Sequence, residues 1–126
     1  MFFEHKALYR NLTEEVPEGF YTIEIGKART VSSGDQATVV TYGMGVQWAV
    51  RIADELGLSL EILDLRSLAP LDHEAINTAV RKTHRVLVLH EATLTGGIGA
   101  EISAYITEHL FDDLDAPVIR VASLDT

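Results

Sequence analysis

Residues 38–65 read TVVTYGMGVQWAVRIADELGLSLEILDL, and this stretch decides the fold. It opens with a short β-branched and aromatic run, 38–42, which is typical of a buried strand and stops at Gly43. Apolar residues then recur at helical spacing as far as Gly57, a glycine placed to end a helix, and residues 60–65 form the next apolar run. The stretch therefore predicts a strand, a helix and a second strand. The helix is expected to bury Val46, Ala49, Val50, Ala53 and Leu56.

The same alternation continues toward the C-terminus. Pro70 and Asp72 indicate the start of a second helix, and residues 85–90 form a third apolar strand. A glycine-rich loop at 95–99 leads into a third helix, and residues 118–121 form the last strand. Apolar strands joined by helices predict parallel pairing with right-handed crossovers and helices on both faces of the sheet. The residues expected on the buried sides of these two helices are Ile76, Ala79, Val80, Ile102, Tyr105, Ile106 and Leu110.

Residues 1–26 form an N-terminal segment without regular periodicity, in which residues 20–25 are expected to be extended, and a short strand is expected at 27–31. The segment is too apolar for a free tail, so we expect it to pack on an α/β body formed by residues 27–126. The residues that make it apolar are Phe2, Phe3, Leu8, Tyr9 and Leu12. Because the chain stops directly after a strand, where an α/β unit usually has a closing helix, we also expect this domain to be truncated at its C-terminus.

Composition limits the classes of function. The chain has 126 residues, enough for one domain, and it has no cysteine, which excludes disulfides, thiolate metal sites and cysteine nucleophiles. Its net charge of -9 argues against nucleic acid or an anionic membrane surface as a partner and leaves room for a basic protein. Neither a signal peptide nor a long apolar run is visible, so we expect a cytoplasmic location, or the mitochondrial matrix if the source is eukaryotic.

Two glycine motifs imitate ligand-binding loops. Gly43-Met44-Gly45 follows a strand and is followed at a distance by Asp64, as in a dinucleotide fingerprint, but Trp48 occupies the third glycine position. The loop at 95–99 lacks the lysine and hydroxyl of a phosphate-binding loop. We therefore interpret both motifs as structural turns, with a nucleotide or anion site as the less favoured alternative.

A histidine beside carboxylates is the other candidate for chemistry. His90 and Glu91 end a strand, near the positions where Asp64, Arg66 and Asp72 are expected to emerge. Such a group could act as an acid/base pair, but a hydrogen-bonded network that fixes loops is the favoured interpretation. The other four histidines lack the spacing of zinc ligands. The residues alone therefore assign no catalytic, cofactor-binding or metal-binding position.

Several short motifs, in order along the chain, resemble a known family. They are Phe2-Phe3-Glu4-His5-Lys6, Leu8-Tyr9-Arg10, Gly26-Lys27-Ala28, Asp64 to Asp72, Lys82-Thr83, His90-Glu91-Ala92, Leu94 to Gly97, Ala116-Pro117 and Asp125-Thr126. Together they are similar to the beta subunit of thiamine-diphosphate-dependent 2-oxo acid dehydrogenases. The forms at 2–4 and 90–97 look more like the branched-chain (2-oxoisovalerate) enzyme than the pyruvate enzyme.

The resemblance implies a transketolase C-terminal-domain-like fold, a three-layer α/β/α sandwich with a five-stranded, mostly parallel mixed sheet whose first strand, around 29–31, is antiparallel. It also implies a parent enzyme that oxidatively decarboxylates a branched-chain 2-oxo acid and transfers the acyl group to lipoyl, using thiamine diphosphate and Mg²⁺. In this family the cofactor lies between the alpha subunit and the preceding domain of the beta subunit. We therefore expect this chain to be an inactive, non-catalytic assembly domain that binds no cofactor itself.

The implied partners are the alpha subunit, a second beta subunit and the subunit-binding domain of the acyltransferase core. Asp112, Asp113 and Asp115 are candidates for docking the basic subunit-binding domain, with solubility as the alternative role for these acids. Two other interpretations stay open. One is the equivalent domain of a transketolase or deoxyxylulose-phosphate synthase, and the other is a stand-alone regulatory module that binds an anionic metabolite at the Gly43 and Gly96 loops.

Overall fold

The computed structural model describes residues 2–125, so Met1 and Thr126, which the expected segments 1–26 and 27–126 include, lie outside the described residues. Within that range the chain alternates strands and helices after a short N-terminal helix. The elements in chain order are α1 (Leu8–Asn11), β1 (Arg29–Ser32), β2 (Ala37–Thr41), α2 (Met44–Leu56), β3 (Leu60–Asp64), α3 (His73–Thr83), β4 (Val86–Thr93), α4 (Ile98–Leu110), a 3-10 turn (Phe111–Asp113) and β5 (Ile119–Ser123).

The strands form one five-stranded sheet in the order β1-β3-β2-β4-β5. β1 runs antiparallel to β3, whereas the β3–β2, β2–β4 and β4–β5 pairs are parallel. In the centre of the sheet Val39 lies opposite Ile62 on one side and Leu87 on the other. The expected mixed sheet with one antiparallel strand at its edge is therefore confirmed.

Helices α3 and α4 cover one face of the sheet. Strand residues that alternate along β2, β3 and β4 point to this face and form a core with the apolar sides of both helices. That core contains Val40, Leu63, Val88, Ile76, Val80, Ile102, Ile106 and Leu110, each at most 2% exposed. Asp72 starts α3 as predicted, since its carboxylate accepts the N–H of Ala75 at 3.1 Å.

Helix α2 covers the centre of the opposite face. Ala49 and Ala53 of this helix pack on Val39 and Ile62 of the sheet. The prediction that Leu56 is buried was wrong, because Leu56 is the last residue of α2 and lies 65% exposed at the end of the helix. These two small residues let the helix lie close to the central strands. No other helix of residues 2–125 covers the β4–β5 side of this face.

The N-terminal segment contacts the body through polar groups. His5 Nε2 lies 2.8 Å from Glu91 Oε2, and Arg29 of β1 lies 3.5 Å from a carboxylate oxygen of Glu14. Phe2 and Phe3 are 89% and 82% exposed, so the expectation that these aromatic side chains pack on residues 27–126 was wrong. The contacts of the segment with Glu91 and Arg29 are polar. Residues 20–25 are irregular, and the first strand begins at Arg29.

Candidate functional site

The carboxyl ends of β2 and β4 mark the place where a ligand site is expected in this topology. The chain leaves β2 toward β3 on one side of the sheet and leaves β4 toward β5 on the other. Ligands of open α/β sheets bind in the crevice at such a switch point, between the loops that follow the two strands. Both glycine motifs found in the sequence lie in these two loops, each before the N-terminus of a 13-residue helix.

The loop after β2 is filled by its own residues. Gly43 has a φ of +59°, which favours glycine, and it turns the chain from β2 into α2. A Cβ at Gly45 would collide with the hydroxyl of Thr41 and lie 3.5 Å from Leu89 Cγ, so helix and sheet pack too closely there for a larger residue. Asp64, the acid of the imitated fingerprint, accepts the N–H of Arg66 at 3.1 Å, and burial raises its pKa. These contacts favour a packed turn over a nucleotide site.

The loop after β4 is held by the end of the chain. The N–H of Thr95 donates to Asp125 Oδ1 at 2.9 Å, and the Thr95 hydroxyl donates to Oδ2 of the same carboxylate. These hydrogen bonds hold the pKa of Asp125 below its usual range. Arg120 adds a hydrogen bond from its guanidinium to the carbonyl of Leu94 at 3.0 Å. The loop that precedes α4 therefore carries a carboxylate, which disfavours an anion at this loop.

His90 and Glu91 do not form an acid/base pair. His90 is 2% exposed, and its imidazole lies where a Cβ at Gly97 or Gly99 would collide with the ring. Within residues 2–125 neither ring nitrogen has a hydrogen-bond partner. Glu91 instead contacts His5. The pKa of Tyr42 is raised mainly by its burial and secondly by the charge of Glu91. His90 is thus a packing residue beneath the glycines that open α4.

Arg66 and Asp72 hold β1 and α3 in place. The Arg66 guanidinium donates to the carbonyl of Lys27 at 2.8 Å and to the carbonyl of Ala28 at 3.2 Å. Asp72 accepts the N–H of Ala28 at 3.0 Å in addition to capping α3. Burial alone would raise the pKa of Asp72, but the two backbone N–H donors and the charge of Lys27 hold it below its usual value. The residues that resembled a catalytic group therefore serve as structural ties.

Two of the three acids proposed for docking form ion pairs with arginines of the same chain. Asp113 Oδ2 lies 3.1 Å from Arg81 Nε, and Asp115 Oδ2 lies 3.6 Å from a guanidinium nitrogen of Arg85. Asp112 is exposed. All three still lie at one surface of the molecule, although two of them share their charge with arginines of the same chain.

Among residues 2–125 no three or more His, Asp or Glu side chains come together in a group that could hold a metal ion. None of the helices in the described chain is both long and apolar enough to cross a membrane.

One apolar surface was not predicted from the sequence. On the α2 side of the sheet, Ile119 and Val121 of β5 lie beside Leu87 and Leu89 of β4, which are partly buried against the α2 core, and we call these four residues the open face. Ile119 and Val121 are 55% and 45% exposed.

A sequence signal for the open face exists in α2. This helix carries apolar residues beyond the stripe that it buries, and Trp48 and Ile52 are partly exposed on its flank. Gly45, Trp48 and Ile52 share that flank by their i, i+3, i+7 spacing, and Gly45 contacts Leu89. The flank therefore borders the open face.

With this geometry in place, comparison with known proteins decides the family. The family model "Transketolase, C-terminal domain" matches residues 26–126. This chain belongs to the transketolase C-terminal domain family. The fold agrees with that assignment, because a chain of a split gene transketolase, solved as an inactive beta4 tetramer, superposes over 88% of the present chain with a TM-score of 0.74 and 27% sequence identity.

The relatives of this transketolase C-terminal domain are beta subunits of 2-oxo acid dehydrogenases. The chain is 49% identical, over 99% of its length, to a pyruvate dehydrogenase E1 component subunit beta of Porphyra purpurea, and 46% identical, also over 99%, to a 2-oxoisovalerate dehydrogenase subunit beta of Bacillus subtilis. The expected family is therefore confirmed, with the branched-chain enzyme as one relative among several. The chain spans 38% and 39% of the length of these two proteins.

Proposed function

We propose that this domain is a non-catalytic assembly domain in the beta subunit of a 2-oxo acid dehydrogenase. The observation that carries the proposal is the likeness over 99% of this chain to beta subunits that are more than twice as long. Because the match covers 99% of this chain but only 38% and 39% of the two relatives, we infer that the domain serves as one part of a larger subunit. Its partners in that role are a second beta subunit and the alpha subunit.

The chemistry of the described residues supports a role without catalysis. His90, the histidine of β4 at the switch point, is packed without a polar partner among residues 2–125, and Asp64, Arg66 and Asp72 are engaged in structural hydrogen bonds. Catalysis of proton transfer needs a donor or acceptor within reach of a substrate. Of the residues that the sequence singled out, Glu91 is partly exposed, and His5 occupies one of its carboxylate oxygens at 2.8 Å.

Thiamine diphosphate and Mg²⁺ do not fit the residues of this chain. At the switch point Gly45 packs closely on Thr41 and Leu89, Asp125 binds the loop before α4, and the described part of the chain lacks a cluster of metal ligands. We place the cofactor in the parts of the parent subunits that lie outside this chain. Their reaction is the oxidative decarboxylation of a 2-oxo acid, in the cytoplasm or, in a eukaryote, the mitochondrial matrix.

A titration tests the absence of cofactor binding directly. Calorimetry with thiamine diphosphate and Mg²⁺ is expected to give only the heat of dilution, and addition of pyruvate or 2-oxoisovalerate is expected to release no CO₂. Titration with nucleotides and sugar phosphates serves as the parallel control for the regulatory-module alternative. Saturable heat with thiamine diphosphate, or turnover by this chain, would contradict the proposal.

We assign the parent substrate to the branched-chain class on the sequence forms at 2–4 and 90–97. The test is to express the beta subunit that contains this domain with its alpha subunit and to compare kcat/KM for 2-oxoisovalerate and pyruvate. A preference for 2-oxoisovalerate is expected, and a preference for pyruvate would move the parent enzyme to the pyruvate class while leaving the assembly role intact.

Docking of the acyltransferase core is the remaining part of the proposal. Asp112, Asp113 and Asp115 lie together at the surface and carry negative charge toward a basic subunit-binding domain. Since charge steering acts mainly on the association rate and is screened by salt, neutralising all three as Asn is expected to slow association and flatten its salt dependence. An association rate unchanged by the triple variant would assign these acids to solubility.

A further inference from the structure

A polar cavity of about 250 Å³ lies between the edge strand β1 and helix α3, and we call it the β1–α3 cavity. Thr30 of β1 and Glu61 of β3 line it from the sheet, and Glu74, Ala75 and Thr78 line it from α3. Sites for small-molecule ligands and cofactors usually have volumes of about 300–1,000 Å³. The β1–α3 cavity is smaller than that, and its size suits a single side chain of another protein better than a nucleotide.

A buried carboxylate faces this cavity. The side chain of Glu61 is only 8% exposed, and its Oε2 accepts hydrogen bonds from the N–H of Gly34 at 3.1 Å and from Lys82 Nζ. Because both hydrogen bonds go to Oε2, the other oxygen, Oε1, has no partner among residues 2–125. A carboxylate oxygen that is withdrawn from bulk water needs a hydrogen-bond donor. Since Glu61 lines the cavity, we expect that donor to belong to a molecule that enters it.

The charge around the cavity favours a cation. Three carboxylates line it, those of Glu61, Asp72 and Glu74, together with one ammonium group, that of Lys27. Lys82 pairs with Glu61 and offsets one of these negative charges. Among residues 2–125 no three acids come together as metal ligands, so these carboxylates do not converge on one point. An extended organic cation therefore fits the lining better than a metal ion does.

We propose that the β1–α3 cavity binds the guanidinium group of an arginine side chain from a partner protein. A guanidinium is always charged, is weakly hydrated and carries five N–H donors, one of which supplies the free carboxylate oxygen. Its apolar stem packs along Ala75 and Ala79 of the cavity. The hydroxyl of Thr78 donates its proton to the carbonyl of Glu74 at 2.9 Å, so it offers only lone pairs to the ligand.

Two charged residues at the edge of the cavity act in opposite directions. Lys27 Nζ lies 3.8 Å from Glu74 Oε2, and the two side chains are 47% and 87% exposed, so this ion pair is weak. The ammonium of Lys27 repels an entering guanidinium, whereas the carboxylate of Glu74 attracts it. The whole chain has a net charge of -9, which adds a general attraction for a basic partner. The experiment therefore has to separate the local effect from the general one.

An NMR titration of the chain with a blocked peptide, acetyl-Gly-Arg-Gly-amide, tests the site. The matched control peptide carries citrulline, which has the shape of arginine without its charge. The arginine peptide is expected to shift the amide signals of Thr30, Gly34 and Thr78 in a saturable way. The citrulline peptide is expected to bind at least about tenfold more weakly, since hydrogen bonds from a charged donor are stronger than those from a neutral one.

Substitutions separate the cavity from the general charge of the chain. Thr30→Tyr fills the cavity with an uncharged ring on an exposed strand position and is expected to abolish the saturable shifts. Glu74→Gln is expected to weaken binding about threefold, and Lys27→Gln is expected to strengthen it by a similar factor. The matched controls, Glu101→Gln and Arg51→Gln, make the same charge changes at exposed helix positions outside the cavity and are expected to alter the affinity less. Circular dichroism establishes that the variants are folded.

Three results would overturn the β1–α3 cavity as an arginine site. They are the absence of saturable shifts with the arginine peptide, equal binding of the citrulline peptide, and an affinity that Thr30→Tyr leaves unchanged. Equal effects of Glu74→Gln and Glu101→Gln would likewise assign the binding to the general charge of the chain. The partner need not be a subunit of a dehydrogenase, so each of these results leaves the assembly role standing.

Discussion

The two faces of the sheet differ in how completely the chain covers them. On the face of α3 and α4 the helices bury a continuous core, whose members include Ile76, Val80, Ile102 and Ile106 with almost no exposed area. On the face of α2 one helix covers the central strands, and Ile119 and Val121 lie about half exposed. The covered face holds this domain together, and the uncovered one offers apolar area for binding.

The largest loss of stability is expected when a buried side chain on the covered face is truncated. Ile106 is 0% exposed between α4 and the sheet, and Ile106→Ala is expected to lower the free energy of unfolding by about 2–5 kcal/mol, because it removes buried methyl groups and leaves a cavity. Urea denaturation in dilute solution measures the loss. A loss below about 1 kcal/mol would mean that this face is packed loosely.

A second prediction concerns the start of α3. Asp72→Ala is expected to lower the free energy of unfolding by about 1–2 kcal/mol, since the carboxylate caps α3 and also binds the N–H of Ala28. Asp72→Asn is the matched control, because asparagine can still cap a helix. Urea denaturation at neutral pH measures both variants. Equal losses for Ala and Asn would show that charge, rather than the cap, matters there.

The pKa of Asp72 gives the same residue a pH signature. Its pKa is below the ordinary value in the folded chain, so its contribution is complete above about pH 4–5 and is lost as pH falls through the folded pKa. Asp72→Asn is therefore expected to reduce the acid sensitivity of unfolding in that range. An unchanged acid profile would contradict the structural role of this carboxylate.

Most of the fold could be predicted from the sequence because it is determined by local periodicity. The strand at 38–42, the helix that ends at Gly57 and the Asp72 cap were all confirmed within a residue or two. The last strand was expected at 118–121 and lies at Ile119–Ser123. Such features follow from spacing and capping, which neighbours in sequence control.

The features that could not be predicted depend on which surfaces meet in the folded chain, and local periodicity does not determine that. Phe2 and Phe3 were expected to be buried because they are apolar, but no groove of the body receives them. A hydrogen-bonded network around His90 was favoured over an acid/base group from strand ends alone, yet His90 lies beneath α4 with no hydrogen-bond partner among residues 2–125, while Glu91 contacts His5. Periodicity assigns a residue to a face and does not say what covers that face.

Removing part of the N-terminal segment, which lies outside the sheet, provides another test of the comparison. Deleting residues 2–12 is expected to change the free energy of unfolding by less than about 1 kcal/mol, because the deletion exposes no apolar core and removes one partly exposed His5–Glu91 contact. Thermal unfolding followed by circular dichroism measures the change. A fall in Tm as large as that of Ile106→Ala would show that the aromatic side chains pack on the body.

The smallest effect is expected on the open face. Ile119→Ala in dilute solution should lower the free energy of unfolding by about 1 kcal/mol or less, since the side chain is half exposed before the change. The same urea experiment used for Ile106→Ala gives the comparison at a single residue type. Equal losses at the two positions would remove the distinction between a covered and an uncovered face.

Sedimentation equilibrium of the unchanged chain tests the assembly role most directly. The account predicts that the apparent mass rises from 13.9 kDa in dilute solution toward twice that value as concentration increases, and that added salt favours the heavier species. A mass that stays at 13.9 kDa over the whole range of concentration and salt would contradict it.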